Sequence, residues 1–353
     1  MAKAAKRDVL EMQPQAGHLI TPKQRTLSNV LIFVMSASVW IWLLIFGAFF
    51  AILSPEYFLT VQNIFNIVRQ AGLYGIISIG MTFVIISGGI DLSVGSIISL
   101  TGSVFGMMWQ ATHSIALATT AGMMTGIVAG GISGTLVAYG RLPPFIATFG
   151  MLSIGRGLAF LVTPYSIGGF PEWFEYLGNG QVSVVPTVVI IFVVLIALSH
   201  LILRKTKYGY DILAIGGNEG SARFAGINIP MRKMSVYIIS AGLASFISIV
   251  LCSKLRSEYP GIGQGYELQV IAATLIGGTD LMGGYGSMIN TAAGAILVGL
   301  INNGLTLRGI YPFMQQIIMG AFIIIAVLAN TLFYQKRDYL GIERRHMDMK
   351  AKS

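Results

Sequence analysis

Charged residues are scarce in this chain of 353 residues: Asp, Glu, Lys and Arg together make up only 10%, while apolar residues make up 54%. Soluble domains carry roughly 25% charged residues, so water could not solvate a compact surface built from this composition. The composition therefore excludes a soluble enzyme, a disordered chain and a nucleic-acid-binding protein. Helices of about 20 apolar residues span a membrane, and about ten of them would account for the apolar share. The sequence predicts a polytopic membrane protein.

Cysteine is almost absent, and no potential metal ligands surround the single one that occurs. Cys252 lies in the apolar run VYIISAGLASFISIVLCSKL. It can form no intrachain disulfide, and we expect a small core or lipid-facing residue. The sequence also lacks a G-x-x-x-x-G-K-[ST] phosphate-binding loop. We therefore predict no metal site, no catalytic residues and no cofactor bound by this chain.

Ten apolar segments are candidate membrane spans, and glycines shorten or interrupt two of them. The first is too long for a cleaved signal peptide. The segments are 30–53, 72–88, 93–110, 115–139, 145–163, 184–203, 234–252, 267–279, 287–306 and 314–334. The expected fold is all-α, with about ten transmembrane helices and Gly-broken segments. A transmembrane domain (30–334) would lie between an N-terminal tail (1–29) and a C-terminal tail (335–353).

The basic residues set the expected orientation. Lys and Arg concentrate in both tails and in the central polar loop 204–233, whereas loop 164–183 contains Glu172 and Glu175 but no Lys or Arg. Basic loops stay on the cytoplasmic side of a membrane, so both termini and loop 204–233 are expected to be cytoplasmic and loop 164–183 external. This arrangement needs an even number of spans, which ten satisfies. It also explains the net charge of +9 without nucleic acid as a partner.

A glycine ladder occupies one predicted helix. Gly122, Gly126, Gly130 and Gly134 recur every four residues and therefore share one face of that helix. Small residues let membrane helices approach closely. We expect a packing surface, either inside the bundle or against another subunit.

The string SGGIDLSVGS (87–96) interrupts the apolar pattern with a carboxylate. A charge at bilayer depth normally pairs or lines an aqueous cavity, which makes Gly88, Gly89, Asp91 and Ser93 candidates for a translocation pathway. The alternative is structural, because Asp and Ser also cap helix N-termini. Both interpretations can hold together.

A second copy of this pattern occurs in GGTDLMGGYGS (277–287) and adds Gly277, Gly278, Thr279 and Asp280 to the pathway candidates. The repeated Gly-Gly-x-Asp-Leu string suggests an internal duplication of the kind found in transporters. Six predicted helices separate the copies, whereas an inverted repeat would need an odd number. Either one segment is re-entrant or the similarity is only local.

Loop 204–233 is the largest loop expected in the cytoplasm, and its middle, 218–226, is predicted to form a short helix. Ala222, Ala225 and Gly226 would give this helix a face of small residues. The loop is either an ordinary amphipathic connector or a docking helix that inserts into another protein.

Four ordered motifs carry a resemblance to a known family. They are SGGIDLSVGS, PPFIATFGMLSIGRGLAFLVT (143–163), TKYGYDILAIGGNEGSARFAGI (206–227) and IGGTDLMGGYGS (276–287). From about residue 55 to 334 the chain resembles the sugar permeases of ATP-binding-cassette importers, the ribose, xylose and galactose group, which are related to branched-chain amino-acid permeases.

The resemblance implies a transport subunit rather than an enzyme, placed in the bacterial inner membrane with ten spans and in contact with membrane lipid. It implies three partners: a cytoplasmic ATPase that holds ATP and Mg, a second permease of the same or a homologous kind, and a periplasmic sugar-binding protein. It also makes loop 204–233 the segment that docks on the ATPase. The residues of this chain that match the docking motif are Asn218, Ser221, Ala222 and Gly226, and Glu219 occupies the variable position beside Asn218.

The chain departs from the family pattern at several positions. Asp280 stands where a small or hydroxyl residue is commoner, and Gly220 and Ser221 stand where Ala is commoner. Four residues of the second motif, Phe145, Thr148, Arg156 and Gly157, match by resemblance only. Arg156 lies inside a predicted span and should have a partner or reach the interface.

The alternative function is a secondary transporter driven by protons or cations through Asp91 and Asp280. Such a protein would use an intramembrane carboxylate pair as its relay. It would work alone and would not need a docking loop.

Overall fold

The computed structural model describes residues 38–325 and Leu328, so both predicted tails and the outer parts of the first and last predicted spans lie outside the described residues. Each of the ten predicted apolar segments contains a helix. These helices are α1 (Ser38–Leu53), α2 (Val61–Ile86), α3 (Val94–Thr112), α4 (Ile115–Ala138), α5 (Pro144–Val162), α7 (Thr187–Lys205), α10 (Ile229–Leu255), α11 (Tyr266–Ile276), α12 (Met288–Leu307) and α13 (Pro312–Ile325).

Shorter elements occupy the connections. Between α5 and α7 lie strand β1 (Ile167–Gly168), a 3₁₀ turn (Glu172–Glu175), helix α6 (Tyr176–Asn179) and the hairpin β2 (Gln181–Val182) and β3 (Val185–Pro186). Between α7 and α10 lie α8 (Lys207–Gly217) and α9 (Glu219–Phe224), and β4 (Ser257–Glu258) follows α10. Strand β4 pairs antiparallel with β1, with Ile167 opposite Glu258.

Among the described residues, six helices are long and apolar enough to cross a membrane, namely α2, α4, α5, α7, α10 and α12. Three more, α1, α11 and α13, are apolar but shorter. The protein is therefore an all-α membrane protein with several spans, and the total of ten stays a prediction. Helix α10 has 27 residues, about 40 Å at 1.5 Å per residue. The connections at its two ends, α8–α9 and β1–β4, consequently lie at opposite ends of the bundle.

Helix α2 begins at Val61, well before the predicted start at residue 72. The first turns of α2 are polar, so an apolar window misses them. Asn63 explains why they are helical and buried, because its side-chain amide exchanges two hydrogen bonds with that of Asn303 on α12, at 3.0 and 2.8 Å. Thr60 caps the helix by accepting the backbone N–H of Asn63.

The glycine ladder of α4 packs inside the bundle, as one of its two interpretations predicted. A Cβ on Gly126 would overlap Ser245, and one on Gly130 would overlap Ala241, both on α10. Gly122 lies against the backbone of Thr101 on α3. The four glycines thus let α4 approach its neighbours closely.

Candidate functional site

Helix α2 ends in the first glycine motif. The N–H of Gly88 bonds to the carbonyl of Ile85 at 2.9 Å, and the N–H of Gly89 reaches back to Val84 at 3.0 Å. This pair of bonds is a Schellman motif, which requires a left-handed residue that glycine adopts without strain. Gly88 has that conformation, with φ of 80°. The glycine pair therefore terminates the helix.

Helix α11 ends in the same way in the second glycine motif, GGTDLMGGYGS (277–287). The N–H of Gly278 bonds to Leu275 at 2.9 Å, that of Thr279 bonds to Thr274 at 3.3 Å, and Gly278 has φ of 80°. Structurally, Gly278 corresponds to Gly88, whereas the sequence repeat pairs Gly88 with Gly277. The repeat is thus one position out of register with the helix ends, so the two aspartates do not occupy equivalent places. Both copies thus end a helix in the same way, and an internal duplication stays a prediction.

The two glycine turns contact each other. Gly284, within GGTDLMGGYGS (277–287), donates its N–H to the carbonyl of Ile86 at 2.8 Å. A Cβ on Gly283 would lie 3.0 Å from the backbone nitrogen of Gly88. The structure therefore brings together motifs that lie far apart in the sequence.

The end of α8 packs on the same place. A Cβ on Gly216 would overlap both the Ile86 carbonyl oxygen and the Gly284 nitrogen. Arg204, at the end of α7, donates to the carbonyl of Gly286 at 3.3 Å. Movement of loop 204–233 would thus act directly on both glycine turns.

Asp91 is enclosed rather than open to a cavity, with only 1% of its surface exposed. Its Oδ1 accepts the N–H of Ser93 at 3.0 Å and also the Ser93 hydroxyl, and its Oδ2 accepts the Ser240 hydroxyl on α10 at 2.8 Å. The carboxylate therefore holds the start of α3 against the middle of α10. This geometry favours the structural interpretation, and a pathway role for Asp91 and Ser93 stays a prediction.

Asp280 organises the turn after α11. Its Oδ1 accepts the N–H of Met282 at 2.9 Å, and its own N–H bonds to the carbonyl of Tyr285 at 3.0 Å. Gly277 packs on the first turn of α12, where a Cβ would lie 2.7 Å from the Asn290 carbonyl oxygen. Gly277 and Asp280 thus shape the turn, and their role in transport stays a prediction.

The predicted helix in the central loop is α9, and Asn218 begins it. The Asn218 side chain accepts the N–H of Ser221 at 2.8 Å, as an N-cap does. Glu219 follows with ion pairs to Lys233 at 2.7 Å and Arg223 at 3.8 Å. Because Lys233 lies on α10, the first of these pairs ties the short helix to a long one.

Ala222 and Gly226 hold the loop in shape. Ala222 is 3% exposed and packs against Ile215 of α8 and Ile229 of α10, so its methyl group faces inward. Gly226 ends the turn with φ of 77°, a conformation that favours glycine. The residues that a partner could reach are exposed neighbours such as Ser221 and Phe224.

Phe224 is 97% exposed at the end of α9. A benzyl group this open to water is unusual, and aromatic residues are enriched in the cores of protein interfaces. The sequence pattern does not single out Phe224, because exposure depends on which side of a short helix faces the bundle. Neighbouring Arg223 extends the same surface with a cation.

The loop is fastened to α10 by a second set of contacts. Arg232 forms an ion pair with Asp211 of α8 at 2.7 Å, and its guanidinium carbon lies 5.1 Å from the centroid of the Tyr208 ring. The Tyr208 hydroxyl lies 2.8 Å from that of Ser235. Burial raises the pKa of Tyr208, while Ser235 and the Arg232 charge lower it. Together with the Glu219–Lys233 pair, these contacts fasten α8 and α9 to the start of α10.

The motif PPFIATFGMLSIGRGLAFLVT (143–163), which forms α5, contains both buried and exposed residues. Thr148 is buried and donates to the carbonyl of Ile90 at 3.3 Å, next to Asp91. Phe145 is 58% exposed, and Gly157 lies on the outer side of α5 with open space around it. Arg156 donates to the Ser99 hydroxyl on α3, which supplies the partner that an intramembrane cation requires.

The family is decided by comparison with known proteins. Residues 63–327 match the family model described as branched-chain amino acid transport system / permease component. The chain belongs to this permease family. The permease is 37% identical over 317 residues to the ribose import permease protein RbsC of Haemophilus influenzae, covering 88% of this chain and 96% of the relative.

Two further relatives come from Escherichia coli K12. The D-allose transport system permease protein AlsC is 35% identical over 292 residues, 82% of this chain and 90% of its own. The galactofuranose transporter permease protein YtfT is 36% identical over 269 residues, 75% and 79% of the two chains. No solved structure matches the permease. These findings confirm the resemblance carried by the four motifs.

Proposed function

We propose that this permease is the membrane-spanning subunit of an ATP-binding-cassette importer that translocates a sugar or sugar-like polyol. Support comes from relatives named for ribose, D-allose and galactofuranose transport over most of the chain. A periplasmic binding protein delivers the sugar, and a separate cytoplasmic ATPase that holds ATP and Mg supplies the energy. The permease works in the bacterial inner membrane with a second permease subunit, the same or homologous, beside it.

The proposed topology has ten spans and two cytoplasmic termini. The asymmetry of Lys and Arg between the loops supports it. Loop 204–233 then lies in the cytoplasm, where it can meet the ATPase, and loop 164–183 lies outside, where it can meet the binding protein.

The observation that carries the proposal is the position of α8 and α9. Phe224 points away from the bundle at the end of α9, while Gly216, near the end of α8, contacts the glycine turns that end α2 and α11. A force applied at Phe224 by a closing ATPase would reach those helix ends through a short, hydrogen-bonded unit. Rigid-body shifts of packed helices are a common route from such a force to an opened path.

An ion-coupled transporter would use Asp91 and Asp280 as a relay. The Asp91 carboxylate already accepts hydrogen bonds from Ser93 and Ser240 in an enclosed site, which supports a structural role. The purification and transport test described in the next paragraph separates the importer from the ion-coupled transporter.

The test has two parts. The tagged chain is purified in mild detergent from its own host, and co-purifying proteins are identified by mass spectrometry. The assembly is then reconstituted in liposomes, and uptake of D-ribose and D-allose is measured with ATP or with an ion gradient. We expect a co-purifying ATPase and ATP-dependent uptake. Isolation without an ATPase, together with gradient-driven uptake that Asp91→Asn abolishes, would establish the relay instead.

A further inference from the structure

An open polar face includes residues of α5, of the start of α11 with the connection before it, and of α13. We call it the α5–α11 face and define it by Arg156, Tyr259, Gln264, Glu267 and Gln316. Arg156 and Glu267 reach α3 one turn apart, at Ser99 and Gly95, Tyr259 and Gln264 lie on the connection between β4 and α11, and Gln316 lies about 4.0 Å from the position of a Cβ on Gly265. None of these residues belongs to the glycine turns or to loop 204–233.

This face runs from Tyr259, which follows β4 at one end of the bundle, to Glu267, which lies deep inside it. Helix α3 starts beside Ser240, near the middle of α10, because Asp91 binds Ser240 there. The start of α11 packs on the first turns of α3, where a Cβ on Gly95 would overlap the Glu267 carboxylate and Ser99 donates to the carbonyl of Ile262. Helix α11, with 11 residues, therefore begins about halfway along the bundle.

The two charges on the face are incompletely paired. Arg156 donates to Ser99, and no ion pair within 4.0 Å joins it to Glu267 in the part of the chain that the structure describes. Within those same ranges, Oε2 of Glu267 is closed to solvent beside Gly95 and has no hydrogen-bond partner, so this oxygen does not meet a solute. The exposed parts of the Arg156 guanidinium and of the Glu267 carboxylate keep hydrogen-bonding capacity for a polar solute.

The face is also open on the single chain. Tyr259 is 44% exposed, Gln264 and Gln316 are exposed, and Arg156 and Glu267 are partly exposed. Charged and amide groups at this depth cannot face lipid without a large cost, so they face water or protein. Neutral sugars need donors and acceptors of this kind, with an aromatic ring for their apolar faces.

We propose that the α5–α11 face lines the water-filled path between two permease subunits and binds a neutral polyhydroxy solute there. The inference rests on the proposed function and adds the residues that handle the solute. Arg156 and Glu267 donate to and accept from its hydroxyl groups, and the Tyr259 ring packs on its C–H face. The glycine turns instead shape the helix ends on which loop 204–233 acts.

Thiol labelling tests whether the face meets water. The only native cysteine, Cys252, is fully buried, so we expect it to contribute little labelling of its own. Gln264→Cys is introduced into the assembled transporter, with Val128→Cys as a matched control on α4, 54% exposed and in an apolar setting. We expect a charged methanethiosulfonate reagent to label the first and not the second, and D-ribose with binding protein and ATP to slow the labelling at least twofold. Equal inertness of both positions would mean that the face is dry, covered by lipid or by a second subunit, and would overturn the proposal.

Transport tests whether the face handles solute. Glu267→Gln is compared with Glu56→Gln, the same chemical change at an exposed position outside the long helices. We expect sugar moved per ATP hydrolysed to fall about tenfold or more in Glu267→Gln, because a charge-assisted hydrogen bond is lost. Assembly and ATP hydrolysis should persist, and Glu56→Gln should behave as wild type.

The outcomes separate this inference from the proposed function. Failure of the wild-type assembly to take up any tested sugar with ATP would count against the importer. Normal transport by the wild type and by Glu267→Gln, with Gln264→Cys unlabelled, would keep the importer and reject the α5–α11 face.

Discussion

Gly284 donates its backbone N–H to the carbonyl oxygen of Ile86 at 2.8 Å, and this bond joins the turn after α11 to the end of α2. Gly216 of α8 packs directly over it, because any Cβ there would overlap both bonded atoms. Three segments that are distant in sequence therefore meet through backbone atoms alone. Such a contact transmits displacement well, since it contains no flexible side chain.

Gly216→Ala should weaken this contact. The added methyl group meets backbone rather than a movable side chain, and overpacking of this kind costs about 1–3 kcal/mol. We expect lower ATP-driven sugar uptake and a lower unfolding temperature in detergent. Gly217→Ala is the matched control, since a Cβ there has open space around it, and it should leave both unchanged. Equal effects of the two substitutions would argue against the contact.

Asp91→Ala should destabilise the bundle strongly. It removes the acceptor of three hydrogen bonds, one backbone and two hydroxyl, from a site that is closed to water. We expect a loss of about 3 kcal/mol, against about 1 kcal/mol for Ser240→Ala, which removes only one of the three. Thermal unfolding in detergent gives both values. Ser240→Ala keeps the carboxylate, so a relay function would leave its transport intact while Asp91→Ala abolished it without any change in stability.

Phe224→Ala should separate docking from folding. A side chain that is 97% exposed contributes almost nothing to the stability of the isolated permease, so its unfolding temperature should not change. An aromatic anchor at an interface is worth about 2 kcal/mol or more, so affinity for the ATPase should fall roughly 30-fold. Pull-down with titrated ATPase measures this affinity. Tyr311→Ala, an 81% exposed aromatic at the other end of the bundle, is the control and should bind normally.

Glu258 should make stability depend on pH. It lies on β4, fully buried, where Ser103 donates to it at 3.0 Å and the Thr163 hydroxyl lies 3.5 Å from both carboxylate oxygens. Burial raises its pKa from 4.5 to about 7, although both hydroxyls lower it. The folded state therefore holds the proton more tightly than the unfolded state. The stabilisation is complete below about pH 4.5 and is lost as the pH rises to about 7.

Glu258→Gln should flatten this dependence. The amide keeps the shape and carries no charge, so the variant should match the wild type near pH 5 and exceed it by on the order of 1 kcal/mol near pH 8. Unfolding temperatures across this range provide the measurement. Glu172→Gln, at an exposed position in the neighbouring connection, should follow the wild type at every pH. An unchanged pH profile in Glu258→Gln would show that another group titrates.

The sequence by itself determined the class of protein, the positions of its apolar helices and its family. Composition and apolar run length decide membrane insertion locally, and ordered motifs such as SGGIDLSVGS are strings that need no fold to be read. The α9 helix was predictable for the same reason, because Asn218 and Gly226 are local start and stop signals. The polar start of α2 was not, since Asn63 is buried only by its pairing with Asn303.

Only the tertiary structure decided which polar residues are enclosed and which are open. Asp91 is a conspicuous carboxylate in sequence, yet Ser240 on a distant helix closes it off. Glu267 and Arg156 are less conspicuous, but the packing of α11 on α3 places them on an open face. Phe224 and Ala222, two residues apart, face opposite ways for the same reason. Exposure depends on contacts between segments far apart in the chain, and no local pattern contains that information.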